Sequence, residues 1–461
     1  MKKTFYIALT IALSSIVSKA QSLNYTDLGV LFSSEENLGT ARFSGLNGAM
    51  GAVGGDLSAI NVNPAGAAIF NHGEFALTFG VNNYKNTSDY YNTTTTNTSS
   101  DFNLEQIGGV FILKNYAYNS GWNKIGLSVN YQKTNHFQKR DLYRGNSGYA
   151  DFYIHPNDEE NEYNNAQSQR FYNDYEGDLS KLSFVLAGQF ENNLNLGFAL
   201  NFHSLDFYQS TELNEINEDD SAPSNVLDVL FEENNSQQSD GISVGAGVIY
   251  KPIHELRLGL AVESPTWYYT ITEDYNSLTR FASIPTKNIN AANLSPESSY
   301  FEYKLRTPSK VTASIAYVFG KLGFVNIDYT YKSYTALDLY GETDFREDNS
   351  YFMDVLQNTN NVNIGSEFRL GKMYLRGGFG YQQSPFKDNV DPRNIDVVKI
   401  GEKYSGSFGT GIRFGNSKLD IAYNKTKQTN EYDFNDREST VNPAKIKNNN
   451  SRLALTYTYI F

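Results

Sequence analysis

Few residues of this chain have the types and spacing that bond-making chemistry requires. The five histidines, His72, His136, His155, His203 and His254, are scattered without metal-ligand spacing. None stands out as an axial haem ligand. There is no cysteine, which excludes disulfides, thiolate metal sites and a lipid-modified N-terminal cysteine. The acidic runs Asp158-Glu159-Glu160 and Glu218-Asp219-Asp220 lack the spacing of a calcium loop and read as solvated faces. No nucleophile is accompanied by a base, so an enzyme is not expected, and no cofactor or metal is implied.

The chemistry that remains is binding. Val226, Leu227, Leu230 and Phe231 sit in an otherwise acidic stretch, as do Phe352 and Met353. Residues 224–231 and 350–356 each read as a short helix with an apolar face. Such faces offer a landing place for a greasy ligand, or they pack on each other and cap the loops that carry them. Arg376 and Arg413 are candidate partners for a carboxylate.

Those side chains must be positioned by strands. Fourteen segments alternate apolar and polar residues, at 73–84, 103–114, 123–134, 179–191, 194–208, 241–251, 256–272, 300–319, 322–334, 360–370, 373–384, 403–415, 417–427 and 450–461. The last is the clearest: Leu453, Leu455, Tyr457, Tyr459 and Phe461 share one face, and Arg452, Ala454, Thr456 and Thr458 the other. The span 103–114 is ambiguous, because Leu104, Val110 and Ile112 fall opposite Ile107, Phe111 and Leu113. Connections alternate short (191–193, 252–255, 320–321, 371–372, 415–416, with 115–122 slightly longer) and long (85–102, 135–178, 209–240, 273–299, 335–359, 385–402, 428–449). An even strand number with this asymmetry predicts an all-β fold, a transmembrane antiparallel β-barrel of about 14 strands with its apolar face towards lipid. Neither a repeat period nor an inward-facing sandwich pattern is present.

With that face outward, Arg257, Glu263, Asp328, Lys332, Glu367, Arg369, Arg376, Arg413 and Asp420 point inward. Gly259, Gly365, Gly378, Gly380, Gly409 and Gly411 lie among them and leave room for another backbone. For any one of these charges, pairing with another lumen charge, or with Asp56 and Arg42, competes with ligand binding.

Composition agrees. Thirty-four tyrosines and thirty phenylalanines give ample aromatic surface despite a negative mean hydropathy. Residues 1–20 read as a cleaved export signal, with Lys2 and Lys3, an apolar stretch from Phe5 to Ile16, and Ser18-Lys19-Ala20 before Gln21. Without them 35 basic residues face 51 acidic ones, a net charge of −16, which suits no nucleic-acid partner. No later stretch is long and apolar enough for a helical span.

Residues 21–71 differ in kind. They are rich in small residues, lack alternation, read as partly helical around Leu57 to Ile60, and turn at Asn63-Pro64. Here Gly39 to Gly45, Gly54-Gly55-Asp56-Leu57-Ser58-Ala59 and Asn61-Val62-Asn63-Pro64-Ala65-Gly66, with Leu258 to Tyr268 and Leu305 to Lys310 downstream, resemble the OmpP1/FadL/TodX family of outer-membrane transporters for hydrophobic compounds, in its Bacteroidetes form.

The resemblance implies that residues 21–71 form a plug, or hatch, within a barrel formed by 72–461. Asn63, Pro64 and Ala65 would be the hatch motif, with Arg42, Gly54, Gly55 and Asp56 supporting it. It also implies passive uptake of long-chain fatty acids or aromatic hydrocarbons, with release sideways through the wall near the third strand. There only Gly126 is an evident flexible point, so no opening is placed from the sequence. The expected partners are outer-membrane lipids and a hydrophobic small molecule. The alternative is an accessory barrel that holds protein partners with its long loops and passes no solute.

Overall fold

The computed structural model describes residues 23–114, 121–391, 398–433 and 441–461. The expected export signal lies outside them, as does most of the connection 115–122. Fourteen antiparallel strands close a barrel, each where alternation places one. They are β1 Glu74–Tyr90, β2 Thr93–Lys114, β3 Trp122–His136 continued by Lys139–Gly145, β4 Asn165–Phe190, β5 Leu194–Asp219, β6 Ala222–Tyr250 and β7 Leu256–Glu263 continued by Trp267–Phe281. The rest are β8 Glu297–Arg306 continued by Lys310–Val318, β9 Gly323–Lys332 with Asp338–Tyr340, β10 Thr359–Leu370, β11 Met373–Gln382, β12 Lys399–Phe414, β13 Ser417–Tyr432 and β14 Ala444–Ile460. β14 closes on β1, with Phe75 opposite Tyr459 and Val81 opposite Leu453.

The outward positions form an apolar belt. Leu196, Phe198 and Phe202 on β5, Ile412 and Phe414 on β12, and Leu453, Leu455 and Tyr457 on β14 are all exposed. Rows of such side chains around a whole barrel have no favourable contact in water, whereas lipid accepts them. At one end the chain turns tightly. Glu191 and Asn192, in the three-residue turn between β4 and β5, are both left-handed, and Gly371 and Gly415 take φ of +64° and +58°.

At the other end the strands continue past the belt. β4, β5 and β6 run for 26, 26 and 29 residues, where about ten suffice to cross a bilayer. The long connections expected at 85–102, 135–178 and 209–240 are therefore mostly strand; between β1 and β2 only Tyr91 and Asn92 intervene. The helix expected over 224–231 is also strand, part of β6, fixed by pairing with β5 from Leu227 opposite Asn217 to Phe231 opposite Leu213. The second expected helix is present as Arg346–Val355. Inside this extension lies an aromatic core including Tyr143, Phe171, Phe207, Leu213, Phe231, Phe352 and Phe386.

The N-terminal segment runs inside the barrel. Helix α1, Tyr25–Ser33, is capped by the Asn24 side chain, which accepts from the Thr26 and Asp27 amides. A second helix, α2, Ala41–Gly45, starts at Thr40, whose hydroxyl accepts from the Phe43 amide. Short 3₁₀ turns follow at Ala59–Asn61 and Pro64–Ile69. Wall and segment are directly bonded: the Ala41 amide donates to Thr456 Oγ1 at 2.6 Å, and Asn424 Nδ2 to the Ser44 carbonyl at 2.8 Å.

Two irregularities interrupt the wall. β7, β8 and β9 break side by side at 264–266, 307–309 and 333–337, where Pro265 and Pro308 lack an amide to donate. Bonds from the Thr307 amide to the Thr266 carbonyl and from Ser333 to Ser309 keep that region joined. The other break ends one ladder. The β2–β3 ladder stops at Gln106 opposite Gln132, although both strands continue. Above that point β2 pairs with β1 and β3 pairs with β4. Glu105 is an extra residue there, since Thr78 opposes Gln106 and Phe79 opposes Leu104. This bulge switches the inward phase of β2 and accounts for the ambiguous alternation of 103–114.

Candidate functional site

The Asn63-Pro64-Ala65 turn rests on glycines of β5 and β6. Asn63 Oδ1 accepts from the Ala65 amide at 3.1 Å, and its Nδ2 donates to Gly51 O at 2.8 Å and to Val248 O on β6 at 3.1 Å. A side chain at Gly197 would collide with Pro64 and Ala65, and one at Gly247 with Asn63. Elsewhere a Cβ would lie 2.7 Å from Gly51 O at Gly259, 2.6 Å from Leu46 O at Gly365, and 3.2 Å from Gly45 Cα at Gly409. Gly378 likewise faces Leu46. Gly380 makes room for the Asn47 side chain, and Gly411 for Asp420 and Arg376.

Charge fixes the segment further. Arg42 reaches Glu367 through Nε at 2.8 Å and Nη2 at 3.0 Å, and donates to the Gly55 carbonyl at 2.7 Å. Asp56 accepts from Thr40 Oγ1 at 2.8 Å and from the Ser58 amide at 2.9 Å. Gly54 and Gly55 turn with positive φ, and the Gly55 amide donates to Gly66 O. Burial opposes the Arg42 charge, but Glu367 beside it holds the guanidinium protonated more firmly than usual.

Arg376 is committed within this network. It donates to Glu367 and to Asp420, both at 2.6 Å, with a 2% exposed side chain. Arg413 does not point into the lumen as expected. It is exposed beside the tight turn and donates to the Gly415 carbonyl, because it lies within two residues of the strand end.

Three features carry no distinct sequence signal, since they join residues distant in the chain. Lys310 bonds Glu35 at 2.6 Å and Glu263 at 3.1 Å, and Lys181 reaches Glu263 at 3.4 Å. Burial works against the Glu35 charge, yet Lys310, Lys332 and Lys181 together hold its carboxyl well below the usual range. Arg452, on the inner face of β14, bonds the bulged Glu105 through Nε at 2.8 Å. It also donates to Ser44 Oγ at 2.6 Å and to the Gly39 carbonyl at 3.1 Å. The third feature is a cavity of about 320 Å³ between α1, Glu35 to Asn37 and the wall. Gln132 and residues 134–139 line it, and these lie where the β2–β3 ladder ends.

The candidates outside the belt separate by burial. Leu227, Phe231 and Phe352 are buried in the aromatic core, Leu230 is half-buried, and Val226 and Met353 are 40% and 56% exposed. Among the described residues, no group of three histidine, cysteine, aspartate or glutamate side chains is placed to hold a metal ion.

No protein-family model matches the chain, and no curated protein matches it in sequence. Solved structures do match. A Pseudomonas aeruginosa FadL homologue aligns with a TM-score of 0.59 and 13% identity, covering 92% of this chain and 99% of that one. The Ralstonia pickettii toluene transporter TbuX aligns at 0.54 and 14%, covering 92% and 99%. The Pseudomonas putida toluene transporter TodX aligns at 0.54 and 14%, covering 94% and 100%. Over nearly its whole length, this chain therefore has the fourteen-stranded barrel fold of the FadL and TodX proteins.

Proposed function

We propose that this chain is an outer-membrane barrel for passive uptake of hydrophobic small molecules, long-chain fatty acids or aromatic hydrocarbons. Residues 21–71 act in it as a hatch. The observation that carries this reading is the parting of β2 and β3 beside the lumen cavity. A closed, evenly paired wall would offer an apolar solute only a polar lumen, whereas an interrupted ladder beside a cavity offers a way into the lipid around the belt. Likeness to the FadL homologue and the toluene transporters supports the same reading. Val226 and Met353 are the landing candidates that remain open to a solute, and outer-membrane lipid covers the belt.

The test is uptake of labelled long-chain fatty acid and labelled toluene by cells making the intact chain or a form with Asn63-Pro64-Ala65 replaced by Gly-Gly-Gly. At equal surface expression, uptake by the intact form alone would establish transport and tie it to the hatch. No uptake of either compound by either form would reject transport and favour a protein partner held by the extended strands.

A further inference from the structure

The two ends of the barrel differ in charge. The tight turns, with the strand ends beside them, hold nine of the 35 basic residues that follow residue 20. They hold only three of the 51 acidic ones, Glu74, Glu191 and Glu255. In a chain this acidic, the periplasmic rim is therefore strongly positive.

The rim charges are mostly unanswered. Among the described residues, only Lys418 is paired with a carboxylate, Glu74 at 3.1 Å. Lys124 and Arg257 donate to the Phe70 and Val53 carbonyls of the N-terminal segment, at 2.6 and 3.1 Å. Arg369 and Arg413 donate to the Gly371 and Gly415 carbonyls of their own turns. Carbonyl partners orient a cation and leave its charge uncancelled. Lys251 lies near enough to Lys124 and Arg257 for their charges to repel, and Lys124 likewise repels Lys114. Lys114, Lys321 and Lys372 are exposed.

Placement separates the anions that could answer them. Lys114, Lys124, Arg257 and Lys418 alternate with the exposed, lipid-facing Leu113, Ile125, Leu258 and Leu419, so they stand on the axis side of the wall. Lys321 and Lys372 lie in the turns themselves. Lipid headgroups surround the outer side of a barrel, whereas these cations ring its mouth. Fourteen strands about 4.8 Å apart and tilted about 40° make a ring roughly 25–30 Å across. A single phosphate or carboxylate reaches only one arc of such a ring. Ile253 and Leu322, 57% and 68% exposed, also lie in the turns. Apolar side chains set among charges suit a protein interface, and a glycan offers them nothing.

We propose that this rim docks the acidic face of a soluble periplasmic protein, the cations meeting its carboxylates and Ile253 and Leu322 packing on its apolar side chains. The proposal goes beyond the uptake reading and does not depend on it, since a barrel that passes no solute keeps this face.

The first measurement titrates the full chain, in nanodiscs of zwitterionic lipid, into a labelled polyglutamate peptide, read by fluorescence anisotropy. Lys321→Glu combined with Lys372→Glu reverses two exposed turn charges and should weaken binding at least tenfold. Lys85→Glu combined with Lys427→Glu makes the same charge change towards the far ends of β1 and β13, and should alter binding less than twofold. Inorganic phosphate and a soluble muropeptide should compete at least tenfold less well than unlabelled polyglutamate. The second measurement puts a photo-reactive residue at Ile253 in the cells that make the chain. It should cross-link a soluble protein, and the Lys321→Glu, Lys372→Glu pair should abolish that product while the barrel stays heat-modifiable. Cross-links to lipid alone or to peptidoglycan alone would overturn the proposal. So would equal losses in the two double variants, no saturable peptide binding, competition by phosphate or muropeptide as strong as by polyglutamate, or a protein cross-link that survives charge reversal. Neither readout requires transport, so cells that take up no solute would defeat the uptake reading and leave this result standing.

Discussion

Arg452 and Glu105 join the N-terminal segment to the wall at the point where β2 and β3 part. Arg452 is 7% exposed and Glu105 fully buried, so each is costly without the other. Arg452→Met should destabilise the folded barrel by about 3–5 kcal/mol, because it strands a buried carboxylate. Arg452→Met with Glu105→Leu should recover most of that loss. Urea unfolding in micelles checks both; a double variant no better than the single one would mean that Arg452 acts through Gly39 and Ser44 alone.

Glu36 makes a separate case in the same segment. Burial is the main cause holding its carboxyl above the usual range, with Lys403 and Arg452 opposing and Glu105 adding. A carboxyl raised on folding contributes stability below its unfolded pKa, and that contribution is lost as pH rises through the folded value. Glu36→Gln should therefore raise the melting temperature at pH 8 and change it little at pH 4. An equal shift at both pH values would refute the assignment. None of these pairings was legible in the sequence, because alternation says which face a residue occupies and not which neighbour it meets. Arg376 was correctly placed inward by that rule, and its commitment to Glu367 and Asp420 appears only in three dimensions.

Element by element, period-two alternation located every strand but not its length. Beyond the belt both faces of β5 are largely polar from Gln209 to Asp219, so no apolar stripe marks the continuing strand. The stretch 224–231 misled for a related reason. Ser224 and the apolar residues after it mimic a capped helix, and only the ladder with β5 makes them strand. The glycines were more readable, because a small residue on an inward face implies something close. Gly247→Ala should dislodge Asn63 and make the N-terminal segment sensitive to added protease in folded barrels. Gly406→Ala, on β12 with open space around the position, should leave the digestion pattern unchanged. Equal patterns for the two variants would show that β6 does not hold the Asn-Pro-Ala turn.

At the scale of the molecule, the belt separates the wall that meets lipid from the strands that stand above it. Ile315 on β8 points outward within the belt, whereas Gln238 on β6 points outward beyond it, beside Asp206. An arginine on the lipid face near the bilayer centre costs about 2–4 kcal/mol, and the cost falls towards zero near the interface. Ile315→Arg should lower the folding free energy in lipid vesicles by about that amount. Gln238→Arg should change it by less than about 0.5 kcal/mol, as an exposed polar substitution. The two proteins differ only in where one charge sits along the barrel axis, so the comparison isolates depth from composition. Equal losses would mean that the lipid boundary lies above Gln238, leaving β4 to β6 far less wall in water than their length implies. The predicted difference would fix that boundary between the two positions, and with it the height at which β2 and β3 part relative to the membrane.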